Sequence, residues 1–326
     1  MTLRTFRLAH TAAGMVAHDP CTGLTHRGHQ ARAGADVEGA QTQTGRVRLD
    51  DRIVAAWPVI HPRELAGPMP VSVCWSPIVR CNLHCPHCLD DKAVPEAGRD
   101  RRAEVAGHLA AAGVLGVDIS GGEPLLLADL PALADRLTAG GCVVSVTTNG
   151  WHLARRAAAL AGSVDAVRVS LDGPDAALHD RWRGAGSYRR ALAGLRACAA
   201  LDIPTQLQTV LMASTRQAAQ QMVDLAAAQG VHGLTLLQML PIGEGVRLAD
   251  AELLSDTDAR AVLDRLAVPP GLKVRLRERD AADGFTVVRA DATVWRNHDG
   301  AHLIGRCQGL TRPADLALGA VPDGSA

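Results

Sequence analysis

The sequence predicts an α/β protein, a partial (β/α)6 parallel barrel followed by a short C-terminal β-containing extension. Three observations carry that expectation. Apolar β-type runs alternate with helical patterns six times, at roughly 25 to 35 residues per unit. The helical stretches repeatedly end in glycine, as helix C-caps do. The runs read as continuous apolar segments, as strands covered on at least part of both faces do. Six units fall two short of a closed eight-stranded barrel, which points to an open one; a doubly wound sheet is the alternative.

Taken in order, residues 1–50 are rich in Gly, Ala, Thr, Gln and His around "GLTHRGHQARAGADVEGAQTQTG", where neither a helical nor an alternating period survives. They are expected to form a flexible extension. Residues 51–245 are the expected barrel core. Its strands are "VSVCWS" (71–76), "GVDIS" (116–120), "CVVSVTT" (142–148), "AVRVSLD" (166–172), "TQLQTVLM" (205–212) and "GLTLLQML" (233–240). Helical patterns such as "RRAEVAGHLAAAG" and "YRRALAGLRACAALD" separate them. Residues 246–326 form the C-terminal extension, with two or three short strands around an "HDG" turn and a disordered tail.

Composition narrows the function classes. The 326 residues carry 34 acidic and 34 basic side chains, so no clustered positive excess argues for nucleic acid or a membrane surface. Apolar runs stop well short of the ~20 residues a bilayer span needs. With no apolar N-terminal h-region, a reducing cytoplasm is the expected compartment. There, clustered cysteines among a total of eight suggest a metal rather than disulfides.

The chemistry of βα folds collects where strands end. After the first strand comes "CNLHCPHC", with Cys81, Cys85 and Cys88 spaced C-x3-C-x2-C. After the second comes "SGGEP" (120–124), after the third "TTNG" (147–150), after the fourth "SLDGP" (170–174), and after the sixth "QMLPIGEG" (238–245). Singly, each is an ordinary turn. His84 or His87 offers a fourth ligand for a Cys3His zinc site, the mark of a zinc-binding regulatory protein. Five polar loops on one rim instead suggest a catalytic site.

In order and spacing, these motifs resemble the radical S-adenosylmethionine (radical SAM) superfamily over residues 70 to 245. The closest likeness is to its molybdenum-cofactor, haem d1 and peptide-maturase subgroup, which "HDRWRGAGSYRRALAGL" (179–195) is similar to. The resemblance implies that Cys81, Cys85 and Cys88 hold three irons of one 4Fe–4S cluster, leaving the fourth iron open for the amino and carboxylate groups of SAM. It implies reductive cleavage of SAM to a 5′-deoxyadenosyl radical that takes hydrogen from the substrate, with an external electron donor such as flavodoxin or ferredoxin.

The resemblance also assigns roles. His87 stands where the family often has an aromatic near adenine. Gly121, Gly122, Glu123 and Pro124 match the segment that meets the methionyl amine, with Glu123 placed to receive the ammonium. Thr148 and Asn149 line the pocket. Ser170 matches a ribose contact, and Asp172 ends the same strand. Arg183 matches an arginine that meets the SAM carboxylate. Gln238, Leu240 and Pro241 lie near adenine. Many relatives carry a cysteine-rich C-terminal domain for auxiliary clusters; here the region holds only Cys307, and one thiolate cannot hold a cube. Cys307 is instead a candidate hydrogen donor to a substrate radical. Cys142 and Cys198 read as buried core residues, and Cys74, in the first strand, reads as buried, with a place facing the barrel interior as the alternative. Residues 1–70 show too little alternation for a peptide-clamping domain, so a small polar metabolite is the expected substrate, such as a nucleoside, sugar or natural-product precursor. A ribosomal-peptide maturase or epimerase is the alternative.

Overall fold

The computed structural model describes residues 3–11, 14–28, 44–65, 67–279, 286–296 and 307–318. The segment expected to be a flexible extension is largely folded. Five antiparallel strands, β1 (Leu3–Thr11), β2 (Gly14–His18), β3 (Thr25–Arg27), β4 (Arg46–Asp50) and β5 (Val59–Ile60), form a sheet in the order β4-β1-β2-β3-β5. The physical reason is a two-residue period that the sequence reading missed. Along β1 the buried positions are Arg4, Phe6 and Leu8. One inward position is thus an arginine, neutralised by buried Asp19 at 3.0 Å, which hides the apolar alternation. Phe6, Leu8, Met15, Val47, Leu49 and Trp57 pack as a separate small core. Residues 29–43, the centre of the Gly- and Gln-rich stretch, lie outside the described residues.

The second sheet is larger. Strands β6 (Ser72–Trp75), β7 (Gly116–Ile119), β8 (Val143–Thr148), β9 (Ala166–Ser170), β10 (Thr205–Leu211), β11 (Gly233–Gln238) and β12 (Lys273–Arg277) run parallel in sequence order. On the other side of β6 lie β13 (Thr286–Val288), parallel to it, and then antiparallel β14 (Thr293–Arg296) and β15 (Gln308–Gly309). The consecutive parallel strands therefore number seven, not six. The C-terminal region supplies both ends of this open sheet instead of forming a detached extension. The seventh strand, "KVRLR", escaped notice because three of its five residues are charged. The "HDG" turn and the last eight residues fall outside the described residues.

The parallel strands are not apolar on both faces. One face carries Val73, Trp75, Val117, Ile119, Val144, Val146, Val167, Val169, Leu207, Leu234 and Leu236, all in one buried cluster with the helices. Burying each large aliphatic side chain contributes about 1.5–3 kcal/mol. Between them, on the opposite face, stand Cys74, Asp118, Ser145, Thr147, Arg168, Ser170, Gln208, Thr235, Arg275 and Arg277. Side-chain direction alternates along a strand, so helix-side burial leaves a polar opposite face.

The N-terminal sheet sits against the amino ends of these strands. Arg168 Nη2 donates to Pro20 O at 2.8 Å, Arg275 Nη1 to Gly23 O at 3.4 Å, and Cys21 Sγ to Thr205 O at 3.4 Å. Arg46 forks onto Asp165 at 2.8 and 2.9 Å.

Candidate active site

A cavity of about 270 Å³ opens at the carboxyl ends of the parallel strands. Cys81, Cys85 and Cys88 line one wall. Their loop, which has no regular secondary structure of its own, is pinned from several directions. Glu96 Oε1 accepts the backbone N–H groups of Val79 and Arg80, at 3.0 and 2.8 Å. Gly122 N–H donates to Ile78 O at 2.7 Å, and Glu123 N–H to Arg80 O at 2.9 Å. Glu244 N–H donates to Cys88 O at 2.9 Å. Asn149 Nδ2 donates to Asn82 Oδ1 at 3.1 Å and lies 3.7 Å from Cys81 Sγ.

The need for glycine at 121 and 122 is now explicit. Gly121 has φ +110°, and a Cβ there would meet Ile78 O at 2.3 Å. A Cβ on Gly122 would lie 2.3 Å from Arg80 O and 2.4 Å from Val79 O. The close approach is therefore to the cysteine loop's own backbone. Both glycines also line the cavity.

The structure places Glu123, fully buried, behind the cavity wall and not on it. Its carboxyl accepts from Thr148 Oγ1 at 2.7 Å, Leu125 N–H at 3.0 Å and Asn149 N–H at 2.9 Å. Burial pushes its pKa up. It ties the glycine loop to the Thr148–Asn149 loop and is not placed to receive an ammonium. Pro124 packs behind it, buried, and Pro241 is likewise off the wall. Thr148, Asn149, Ser170, Gln238 and Leu240 do line the cavity. The Gln238 amide is already used, donating to Leu254 O and Asp256 Oδ1 at 2.9 Å each and accepting from Arg279 N–H at 2.8 Å.

Asp172 is a buried hub behind the wall. Its Oδ2 accepts from Arg183 Nε in a short contact and lies 3.2 Å from His87 Nε2, while Oδ1 accepts from Val210 N–H at 2.8 Å. Burial opposes its charge, but Arg183 and His87 together hold the carboxyl well below the usual range. Burial likewise works against the Arg183 charge, and Asp172 more than offsets it. Arg183 thus stands on the cavity wall with Nε committed to Asp172. His87 packs edge-on against Trp182, centroids 5.7 Å apart.

Other residues that sequence reading passed over are Glu96, Gly243 and Arg277. A Cβ on Gly243, φ +59°, would meet Cys88 O at 2.7 Å. Cys74, read as core, lines the cavity; its Sγ lies 3.0 Å from Ser120 Oγ, and burial pushes the thiol up to about 11. Cys307 is not on the described wall; its Sγ lies 4.0 Å from Nη1 of Arg289, which is. Cys142 and Cys198 are buried core residues as expected.

A family model for the radical SAM superfamily matches residues 75–226. That stretch, just under half of the chain, is a radical SAM domain. Relatives agree: the mycofactocin maturase MftC of Mycobacterium ulcerans is 32% identical over 183 residues, 54% of this chain and 49% of that protein. The AdoMet-dependent heme synthase of Methanosarcina barkeri is 28% identical over 231 residues, 68% of this chain and 65% of the relative. The chain thus spans about half to two thirds of these curated relatives. Among solved structures, Streptococcus suis SuiB bound to S-adenosylmethionine superposes with a TM-score of 0.61 at 14% identity, covering 74% of this chain and 63% of SuiB. That likeness shows the mixed α/β fold with its parallel sheet.

Radical SAM domains use a 4Fe–4S cluster and SAM, and the residues here fit both. Three soft sulfur donors share one pinned loop on a cavity wall. Among the described residues no three His, Cys, Asp or Glu side chains converge as for a single metal ion, whereas a cube takes each thiolate on a separate iron. Buried polar atoms of Asn82 (Nδ2), His87 (Nδ1) and Asp90 (Oδ2) beside those thiols have no protein partner. Of the two histidines in the loop, His84 is exposed and His87 has Nε2 3.2 Å from Asp172 Oδ2. Among the described residues no helix is long and apolar enough to cross a membrane.

Proposed function

We propose that this chain is a radical SAM enzyme acting on a small polar metabolite, on an open, partial-barrel sheet. The observation that supports it best is the cavity itself. Its upper wall joins Cys81, Cys85 and Cys88 to Gly121, Gly122, Asn149 and Arg183; its lower wall is the polar strand face. Cys81, Cys85 and Cys88 would hold one 4Fe–4S cluster, which with SAM supplies an electron, a broken sulfonium bond and a carbon radical able to take hydrogen.

The chain's own residues do the rest. Gly122 and Glu123 set the cysteine loop by backbone pairing, Gly121 lets it approach closely, and the Glu123 carboxyl fixes the loop beside it. Ser170, Gln238 and Leu240 shape the nucleoside end of the pocket. Arg183, oriented through Nε by Asp172, keeps its terminal nitrogens for the SAM carboxylate, a geometry suited to its fork. An external one-electron donor such as flavodoxin or ferredoxin completes the system.

A second reading, a ribosomal-peptide maturase, is favoured by one finding. The N-terminal region is a folded five-stranded sheet, not the patternless segment that had argued against a peptide-binding domain. Anaerobic reconstitution with reductant and SAM, followed by assay for 5′-deoxyadenosine, tests the enzyme reading. Stimulation by small nucleosides or sugar acids supports the first substrate class, and stimulation only by peptides supports the second. No 5′-deoxyadenosine from cluster-loaded protein would refute both.

A further inference from the structure

Acidic and basic side chains balance over the whole chain, at 34 each, but not locally. The helices Leu153–Leu160 and Ser187–Ala199 pack against each other, and neither carries an acid. Between them they carry Arg155, Arg156, Arg189, Arg190 and Arg196, all exposed except the half-buried Arg156. None of the five enters an ion pair with a described residue. Arg155 Nη2 lies 2.6 Å from His152 Nδ1, and the Arg190 guanidinium lies over the Trp151 ring, 4.4 Å from its centroid. Burial and repulsion by Arg155, Arg190 and Arg156 lower the His152 pKa, and no acid acts against them. The acid nearest the start of the second helix, Asp180, is committed to its cap, accepting the N–H groups of Gly186 and Tyr188 at 2.6 and 2.8 Å.

This basic surface begins where the cysteine loop is held. Trp151 N–H donates to Asn149 Oδ1 at 2.9 Å. Asn149 Nδ2 in turn lies 3.7 Å from Cys81 Sγ and donates to Asn82 Oδ1 at 3.1 Å. Gly150, with φ +79°, lets the second helix come close: a Cβ there would meet Cα of Ala191, the neighbour of Arg190, at 2.8 Å. Cys81, Asn149, Trp151 and Arg190 thus form a short, continuous run of contacts. It leads from a thiol of the cysteine triad to an exposed cation.

Reductive cleavage of SAM consumes one electron, which the chain takes from outside. We propose that the Trp151–Arg190 surface docks the electron donor, a small acidic one-electron carrier of the flavodoxin or ferredoxin class. The proposal rests on the radical reading of the site and deepens it by placing the donor. Carboxylates of the carrier face Arg155, Arg189 and Arg190, and Trp151 lies between them and Cys81. At this surface one electron leaves the carrier for the cluster, and no bond forms or breaks. Transient redox encounters bury less than about 1,200 Å² and are steered by charge more than held by area. A surplus of one sign on two neighbouring helices suits such an encounter.

The test starts with binding. The cluster-free full chain is titrated with an oxidised flavodoxin and, separately, with an oxidised ferredoxin, at low and at physiological ionic strength. At least one carrier should bind at low salt and weaken as salt rises. Arg155→Glu/Arg190→Glu, with unchanged circular dichroism, should weaken that binding roughly tenfold or more and flatten its salt dependence. Arg265→Glu, at an exposed position ending the helix Asp256–Asp264, should leave it unchanged. In reconstituted protein the double variant should slow cluster reduction by the carrier and leave reduction by dithionite as in wild type. Failure of both carriers to bind, or equal binding by the double variant and wild type, overturns the surface. An oligonucleotide or acidic peptide that binds there while neither carrier does also overturns it, and names a different partner. Charge-dependent carrier binding in a chain that yields no 5′-deoxyadenosine would sustain the surface and sink the radical reading alone. Wild-type 5′-deoxyadenosine formation by the double variant, with the carrier limiting, would sink the surface alone.

Discussion

Asp172→Asn is the sharpest test of how the site is held together. The carboxyl is fully buried, faces Arg183 and His87 through Oδ2, and accepts the Val210 N–H through Oδ1 at 2.8 Å. Asparagine preserves the shape and the Oδ1 acceptor but removes the charge. Arg183, whose side chain is only 11% exposed, is left as a buried cation facing an amide. Breaking a buried pair in this way costs about 3–5 kcal/mol, because the surviving charge keeps its desolvation penalty. Replacing both partners, as in Asp172→Asn/Arg183→Met, should recover most of that loss. The pH dependence follows in sign. Asp172 has a folded pKa below its unfolded value, so its contribution is complete above about pH 4 and is lost as pH falls toward the folded value. Urea denaturation of the cluster-free chain at pH 7, followed by circular dichroism, measures the effect. A single variant within about 1 kcal/mol of wild type, or a double variant less stable than the single, would refute the hub.

Further outcomes follow from the same geometry. Substituting Cys81, Cys85 or Cys88 by Ala should abolish iron incorporation and colour on reconstitution, whereas Cys198→Ala should retain about four irons per chain; eight irons in wild type would show ligands beyond the triad. Gly122→Ala places a methyl 2.3 Å from Arg80 O, so the folded chain should reconstitute with a markedly lower iron content, measured by iron and sulfide assay against circular dichroism. Arg183→Ala should keep the cluster and weaken SAM binding roughly ten- to hundredfold by equilibrium dialysis; unchanged affinity would end its assignment to the carboxylate.

The cysteine triad and the order of strand-end loops were legible in the sequence because each motif is short, local and chemically distinctive. Gly121, Asn149, Ser170 and Arg183 reached the cavity wall from that reading alone. Glu123 did not, since a motif gives position in the chain but not which way a carboxyl turns. The N-terminal sheet was missed because Arg4 occupies an inward place whose neutralising acid, Asp19, lies fifteen residues on. The polar strand face was missed because Asp118 and Arg168 interrupt runs that still look apolar on average, and because Arg275 lies in a strand too charged to be noticed. Those same interruptions, at every second residue, were the available signal for a lined interior.

The loop from Pro20 to Gly23, pressed against Arg168 and Arg275, leaves the parallel sheet with a stopper at its amino end. Among the described residues, a vessel stoppered at its base is left to fill from the opposite end, and traffic through it must queue. A substrate lodged deeper than SAM would have to enter first and leave last. Steady-state inhibition patterns should therefore be those of ordered binding, with the substrate first. Random-order patterns would mean that the base is not sealed.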